Sequence, residues 1–285
     1  MLAETQDEIY FNRMRSSIGD KTRMVEYLLP GTVLDVGSGG GEFAVAVQDG
    51  GWEVVTLDGS AEACAHAHAL GIETVQAFTH EMADIFPEES FMNITCSSIL
   101  HEVYSYGSDE PNSALTLESV HKSVNAFRYT LNVGGRLIIR DGVMPDDWAD
   151  EVEMTLLHPD GPAALEKYLN MIPFRGEGMR SVNLALKPGT QNTFVGTMES
   201  AMEFLYTYTW GVQNYPRETQ ELYGVFTLND YTEFLQTEGF EVIFAEDYLQ
   251  PGYPANLEGK AVLRKNGEVI ELPSSNCLIV AERIK

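Results

Sequence analysis

The residues best suited to chemistry stand in two groups. The first is Val33-Leu34-Asp35-Val36-Gly37-Ser38-Gly39-Gly40-Gly41-Glu42-Phe43, an apolar run that breaks into glycines and then resumes at helical spacing. Such a strand, turn and helix start lets the backbone come close to a ligand, and free N–H groups at the helix start favour polar or anionic groups. Asp35 adds a fixed carboxylate at the strand end. A second apolar run, Glu53 to Leu57, ends in Asp58. An acid there is placed to accept hydrogen bonds from both hydroxyls of a ribose. Together these features point to a nucleoside-containing cofactor. The second group, His101-Glu102-Val103-Tyr104-Ser105-Tyr106-Gly107, is the densest polar and aromatic cluster of the chain.

The glycine spacing narrows the cofactor. A dinucleotide fingerprint needs its third glycine three positions after the second, and that position is Glu42. A carboxylate there would face a pyrophosphate, so NAD and FAD are disfavoured. Gly37, Gly39 and Gly41 instead follow GxGxG. The stretch Leu34 to Gly41, with Asp58 after it, resembles motif I and the second-strand acid of class I S-adenosylmethionine-dependent methyltransferases. A glycine turn that only joins strand to helix is the plain structural alternative.

The resemblance implies S-adenosyl-L-methionine as cofactor, held by Asp35, Gly37, Ser38, Gly39 and Gly41 and by Asp58, Gly59 and Ser60. The third strand departs from the family pattern. Many members carry an acid just after it for the adenine amino group, whereas this chain has Ala77-Phe78-Thr79. Phe78 could stack on adenine beside Thr79, with His80 or Glu81 as the polar contact. Ser97, at the end of the fourth strand, completes the expected cofactor set.

Beside the cofactor's reactive group lies the end of that fourth strand. His101 there could act as a general base on a hydroxyl or amine, with Glu102 or Tyr104 orienting it. The alternative is that His101 caps the following turn. A zinc HExxH pattern would need a second histidine at the position of Ser105, so metalloprotease chemistry is excluded and no metal is expected.

These residues need a scaffold. Residues Ile9 to Leu29 read as a leading helix stopped by Pro30-Gly31. The resemblance implies that such a helix lies over the cofactor, where Lys21 or an arginine could meet the methionine carboxylate; a purely structural helix is the alternative. Strands at 33–36, 53–57, 73–76, 91–100 and 136–141 alternate with helices, which implies a parallel sheet with right-handed crossovers. From Gly142 to Val225 the alternation lapses and aromatic residues become frequent. Regularity returns with the capping box Thr227 to Asp230 and the staple pair Phe226 and Tyr231. A sixth strand at 240–245 and a seventh at 276–281 follow. The seventh inserts antiparallel in the family, and Asn266-Gly267 between the two marks a hairpin turn.

The expected fold is therefore α/β, a doubly wound, seven-stranded, mostly parallel sheet of the Rossmann-like methyltransferase kind. Residues 1–30 form an N-terminal helical cap and 31–141 the cofactor-binding core. Residues 142–225 form a substrate lid between strand five and the last helix, and 226–285 complete the core with an added hairpin. Tyr106, Trp210, Tyr215, Arg217 and Tyr223 are the acceptor-pocket candidates, because they mix aromatic faces with one cation; the alternative for the aromatics is that they pack the segment's own small core.

Composition bounds the acceptor. With 43 acidic against 18 basic residues the chain carries a formal charge of −25. That field repels phosphate backbones, so nucleic acid is disfavoured and a small-molecule or peptide acceptor is favoured. Three widely spaced cysteines form no CxxC or zinc pattern, which points to a reduced, cytoplasmic setting. No apolar run reaches membrane-spanning length, and the sequence does not fix an oligomeric state. The expected activity is methyl transfer to an oxygen or nitrogen of such an acceptor. A catalytically silent protein that keeps S-adenosylmethionine as a regulatory ligand is the alternative.

Overall fold

The apolar runs become strands because each is short, rich in β-branched residues and bounded by a turn. The computed structural model describes residues 18–107, 114–173 and 180–284. A short helix, α1 (Ile18–Lys21), passes into a 3-10 turn, Thr22–Tyr27. Over the described residues this replaces the expected single helix; Ile9 to Ser17 lie outside them. Strand β1 (Thr32–Val36) leads through the glycine turn into α2 (Glu42–Asp49), and β2 (Glu53–Asp58) leads into α3 (Ala61–Ala69). Strand β3 (Glu73–Gln76), helix α4 (Met82–Ile85) and strand β4 (Phe91–Ser97) follow. The His101 cluster then forms α5 (Leu100–Tyr106), before α6 (Leu117–Thr130) and β5 (Leu131–Gly142).

The segment after β5 is more ordered than its sequence indicates. It holds β6 (Glu151–Leu156), α7 (Gly161–Met171), β7 (Leu184–Leu186) and β8 (Thr193–Thr197). Two helices close it, α8 (Met198–Trp210) and α9 (Tyr215–Glu218). Helix α10 (Leu228–Thr237) carries the expected capping box, with Phe226 and Tyr231 stapled edge to face at 4.9 Å. Then come β9 (Phe240–Tyr248), α11 (Gly252–Leu257), β10 (Ala261–Lys265), β11 (Glu268–Ile270) and β12 (Asn276–Arg283).

Seven strands join in the order β3-β2-β1-β4-β5-β12-β9, and β12 alone runs antiparallel to its neighbours. The order reverses between β1 and β4, so the strand ends diverge there and leave a crevice. Leu34, Ile94, Ile139 and Ile279 fill the centre of the sheet, and Val120, Val124 and Phe127 of α6 cover one face. A second sheet, β11-β10-β6-β8-β7, is antiparallel. The hairpin pairs with β6, Leu263 opposite Met154, so two segments about a hundred residues apart build one sheet. Asn266 and Gly267 both take positive φ, as a two-residue hairpin turn requires. Cys64, Cys96 and Cys277 are free thiols. No described helix is long and apolar enough to cross a membrane.

Candidate active site

At the end of β1 the chain must turn sharply, and Gly37, Gly39 and Gly41 all take positive φ. A Cβ on Gly37 would lie 2.6 Å from the Ile99 side chain, so only glycine fits that bend. Asp58 braces the turn. Its carboxylate accepts the Gly39 N–H at 2.9 Å and the Ser60 N–H at 2.8 Å. Burial pushes the Asp58 carboxyl above its ordinary range, against the pull of those two donors and of Arg217. Asp35 is deeper. It accepts the Thr95 hydroxyl at 2.8 Å, and burial lifts its pKa to about 7. Lys21 is the counterpart: burial, then Arg140, lowers it to about 8, while Asp35, Glu42 and Glu102 pull the other way. The hydroxyls of Ser38 and Ser97 are buried without a hydrogen-bond partner.

The other expected cofactor residues lie around this turn. Ser60 caps α3 by accepting the Ala63 N–H at 3.3 Å. Phe78 stacks on His80 and presses against Gly59. Thr79 shares a 2.6 Å hydrogen bond with Ser123 of α6.

Beyond the ends of β4 and β5 a cavity of about 630 Å³ opens. Its floor is His101, buried on the first turn of α5. Asp141 holds it there. One oxygen of Asp141 lies 2.6 Å from His101 Nδ1 and accepts the Gly142 N–H, and the other accepts the N–H groups of Ile99 and Leu100. Asp141 thus caps the start of α5 and fixes the imidazole at once. On the far side, His101 Nε2 is 3.6 Å from Glu221. The chain delivering Glu221 presses on the end of β5 so closely that a Cβ on Gly142 would lie 2.2 Å from the Tyr223 carbonyl.

Glu221 anchors the rest of the cluster. It accepts the Tyr106 hydroxyl at 2.8 Å, and Arg217 reaches both it (3.7 Å) and Glu102 (3.5 Å). Tyr223 donates its hydroxyl to Glu218 and lies 5.4 Å, ring to ring, from His101. His101, Glu102 and Glu221 each offer one ligand atom within 4.8 Å of the others, and the Arg217 guanidinium supplies positive charge to both carboxylates.

The charges sort the roles. Burial alone would lower the His101 pKa, but the charge and hydrogen bond of Asp141, joined by Glu221, hold it well above its ordinary value. That rise favours the imidazolium form, in which both ring nitrogens donate toward the flanking carboxylates. Burial raises Glu221, yet His101, Arg217 and Tyr106 outweigh it and keep Glu221 below the ordinary range. Glu102 is raised to about 7, by burial and then by Glu221. Glu218 is raised to about 8 by the same two causes. Within this cluster, the groups that can exchange a proton near neutrality are these two glutamates.

Trp210, Arg217 and Tyr223 line the cavity, as do His101 and Glu102. Tyr106 reaches it through Glu221. Tyr215 is fully buried against Tyr168 at 5.9 Å, and Tyr104 is buried with Arg180 over its ring. Sequence reasoning missed Asp141, Glu218 and Glu221. Asp141 ends the fifth strand as Asp35 and Asp58 end the first two, and that shared placement was the available signal. Glu218 and Glu221 follow the candidate Arg217, the second of them at the helical i+4 spacing.

A family model for the methyltransferase domain matches residues 12–244. Among solved structures, the chain is similar to a SAM-dependent methyltransferase from Archaeoglobus fulgidus, at 10% identity over 94% of each chain with a TM-score of 0.54. A SAM-dependent methyltransferase from Methanosarcina mazei gives 15% identity over 91% of this chain and 95% of that one, TM-score 0.52. The YcgJ protein from Bacillus subtilis gives 14% identity over 95% and 99%, TM-score 0.52. At such identities the likeness is one of fold. No curated protein matches the chain.

Proposed function

The chain belongs to the methyltransferase domain family, and from that premise we propose that it moves a methyl group from S-adenosylmethionine to a nitrogen or oxygen of a small molecule held in the cavity. The observation that carries the acceptor reading is the placement of His101, Glu102, Glu218 and Glu221 around a half-open cavity beyond β4 and β5. A cavity of this size admits a compact ligand. The overall charge of −25 argues against nucleic acid.

The residues present fit the cofactor. Asp58 offers ribose hydroxyls a carboxylate already fixed by two backbone donors. The buried hydroxyls of Ser38 and Ser97 have hydrogen bonds to give. Asp35 and Lys21, both buried and both displaced toward neutrality, match the ammonium and carboxylate of an amino acid. Phe78 supplies a flat apolar face beside Gly59 for a base. When bound, S-adenosylmethionine supplies a methyl group made electrophilic by a sulfonium charge.

The protein's part is then to orient and to move a proton. Asp141 locks His101, His101 and Arg217 lock Glu221, and the aromatic rings around them exclude water. Glu102 or Glu218 takes the proton that the acceptor loses, since their pKa values of about 7 and about 8 match that task. Free thiols fit a reducing compartment, which we take to be the cytoplasm. Calorimetric titration with S-adenosylhomocysteine tests the cofactor reading. Saturable binding that NAD does not compete away supports it, and NAD binding alone would overturn it.

A further inference from the structure

The cavity has two unlike walls. One is aromatic: Tyr206 stands between Tyr223 and Tyr253, at centroid distances of 5.7 and 5.0 Å, and Trp210 follows one helical turn along α8. The other wall is Glu102, Glu218 and Glu221.

The charges in this space do not balance. The three glutamates and Asp141 beneath them carry four negative charges when ionised, and His101 and Arg217 carry two positive ones. The other charged groups of the lining are Asp20, Lys21 and Arg140. Asp20 is bound by Arg140 at 2.7 Å, and Lys21 faces Asp35 first, then Glu42 and Glu102, so that even with Lys21 counted the negative charges remain in excess. Burying uncompensated carboxylates is costly, and burial together with Glu221 raises Glu102 to about 7 and Glu218 to about 8, so both exchange protons near neutrality.

An alcohol entering the cavity leaves this deficit untouched. An ammonium group removes it, and aromatic faces attract cations, most strongly where water is excluded. Resting on the methyl-transfer reading, we propose that the acceptor is a small basic amine, taken up as its ammonium between the aromatic wall and the three glutamates and methylated on nitrogen.

The step balances. The ammonium gives one N–H proton to the Glu218 or Glu102 carboxylate, which frees the nitrogen lone pair. That pair forms the new N–C bond while the C–S bond breaks, and its electrons stay on sulfur. The products are a methylated ammonium, a neutral thioether and a protonated glutamic acid, which returns its proton to solvent.

The test is calorimetry at pH 7 on protein loaded with S-adenosylhomocysteine, whose neutral sulfur leaves the charge deficit in place. The probe is tetramethylammonium chloride, and neopentyl alcohol is its neutral counterpart. The expected result is saturable tetramethylammonium binding whose heat depends on the buffer, because the raised glutamates release protons when a cation enters. Glu218→Gln and, independently of the carboxylates, Trp210→Leu should each weaken it at least tenfold. Equal binding of neopentyl alcohol, or no tetramethylammonium binding to the loaded protein, would overturn the proposal. Displacement of the probe by manganese(II), lost in His101→Ala, would assign the carboxylates to a metal and overturn it too. Failure to load S-adenosylhomocysteine at all would instead sink the methyl-transfer reading beneath it.

Discussion

The Asp141 carboxylate lies 2.6 Å from Nδ1 of His101 and also receives the backbone N–H groups of Ile99, Leu100 and Gly142. One side chain at the end of β5 therefore holds both the start of α5 and the floor of the cavity. Asp141→Asn keeps the shape and removes the charge. Breaking a buried pair this way costs about 3–5 kcal/mol, so urea unfolding should show a loss of that order. The His101 imidazole should titrate lower in the variant, which its NMR shifts would follow. An unchanged imidazole titration would remove Asp141 as the cause of the raised pKa.

His101→Ala separates binding from turnover. The imidazole orients Glu221 and has no contact with the glycine turn, so affinity for S-adenosylhomocysteine should stay within about twofold, or roughly 0.4 kcal/mol. Turnover should fall. Full activity at every pH would leave His101 a purely structural role.

Asp58→Ala should weaken cofactor binding by on the order of 1–3 kcal/mol, because a buried acceptor is lost. The same change strips the Gly39 and Ser60 N–H groups of their partner, so stability should fall as well. Calorimetry with S-adenosylhomocysteine checks the first effect and thermal unfolding the second. Unchanged affinity would take Asp58 out of the site.

Much of this frame was legible in the sequence, for reasons that are local. Val33 to Gly41 carries its strand and turn in neighbouring residues, and so do the capping box at Thr227 and the Asn266-Gly267 turn. The cavity cluster was legible only in part. His101 and Glu102 stand together, but Asp141 is forty positions away and Glu221 farther still, and no periodic pattern joins them. The second sheet was illegible for the same cause: β6 finds its partners in β8 and, across the whole last helix, in β10. Helical spacing did not foretell that the leading segment would tighten into a 3-10 turn at Thr22–Tyr27.

Asp35 makes a test by pH. Its folded pKa of about 7 lies above the ordinary 3.8, so the folded state holds its proton longer than the unfolded chain does. Its contribution is fully present below about pH 4 and is lost as pH rises toward 7. Relative to Asp35→Asn, the wild type should lose stability across that window, by on the order of 4 kcal/mol in all. Urea titrations of both proteins at several pH values check this. A constant difference would mean that Asp35 ionises normally.

Gly37→Ala places a methyl where Ile99 stands and holds a non-glycine residue at φ +65°. The left-handed backbone alone costs about 1–2 kcal/mol, so the midpoint of unfolding should fall and cofactor affinity with it. A variant as stable as the wild type would show that the turn does not need its present shape.

The most direct measurement follows the methyl group itself. The protein is incubated with S-adenosylmethionine labelled in its methyl group and a protein-free metabolite extract, and the products are separated by size and charge. Label should leave the cofactor for a small-molecule product, in step with S-adenosylhomocysteine formation, and Asp58→Ala should slow both. A protein that binds S-adenosylhomocysteine yet passes label to no small molecule would contradict the account and leave a silent cofactor-binding protein in its place.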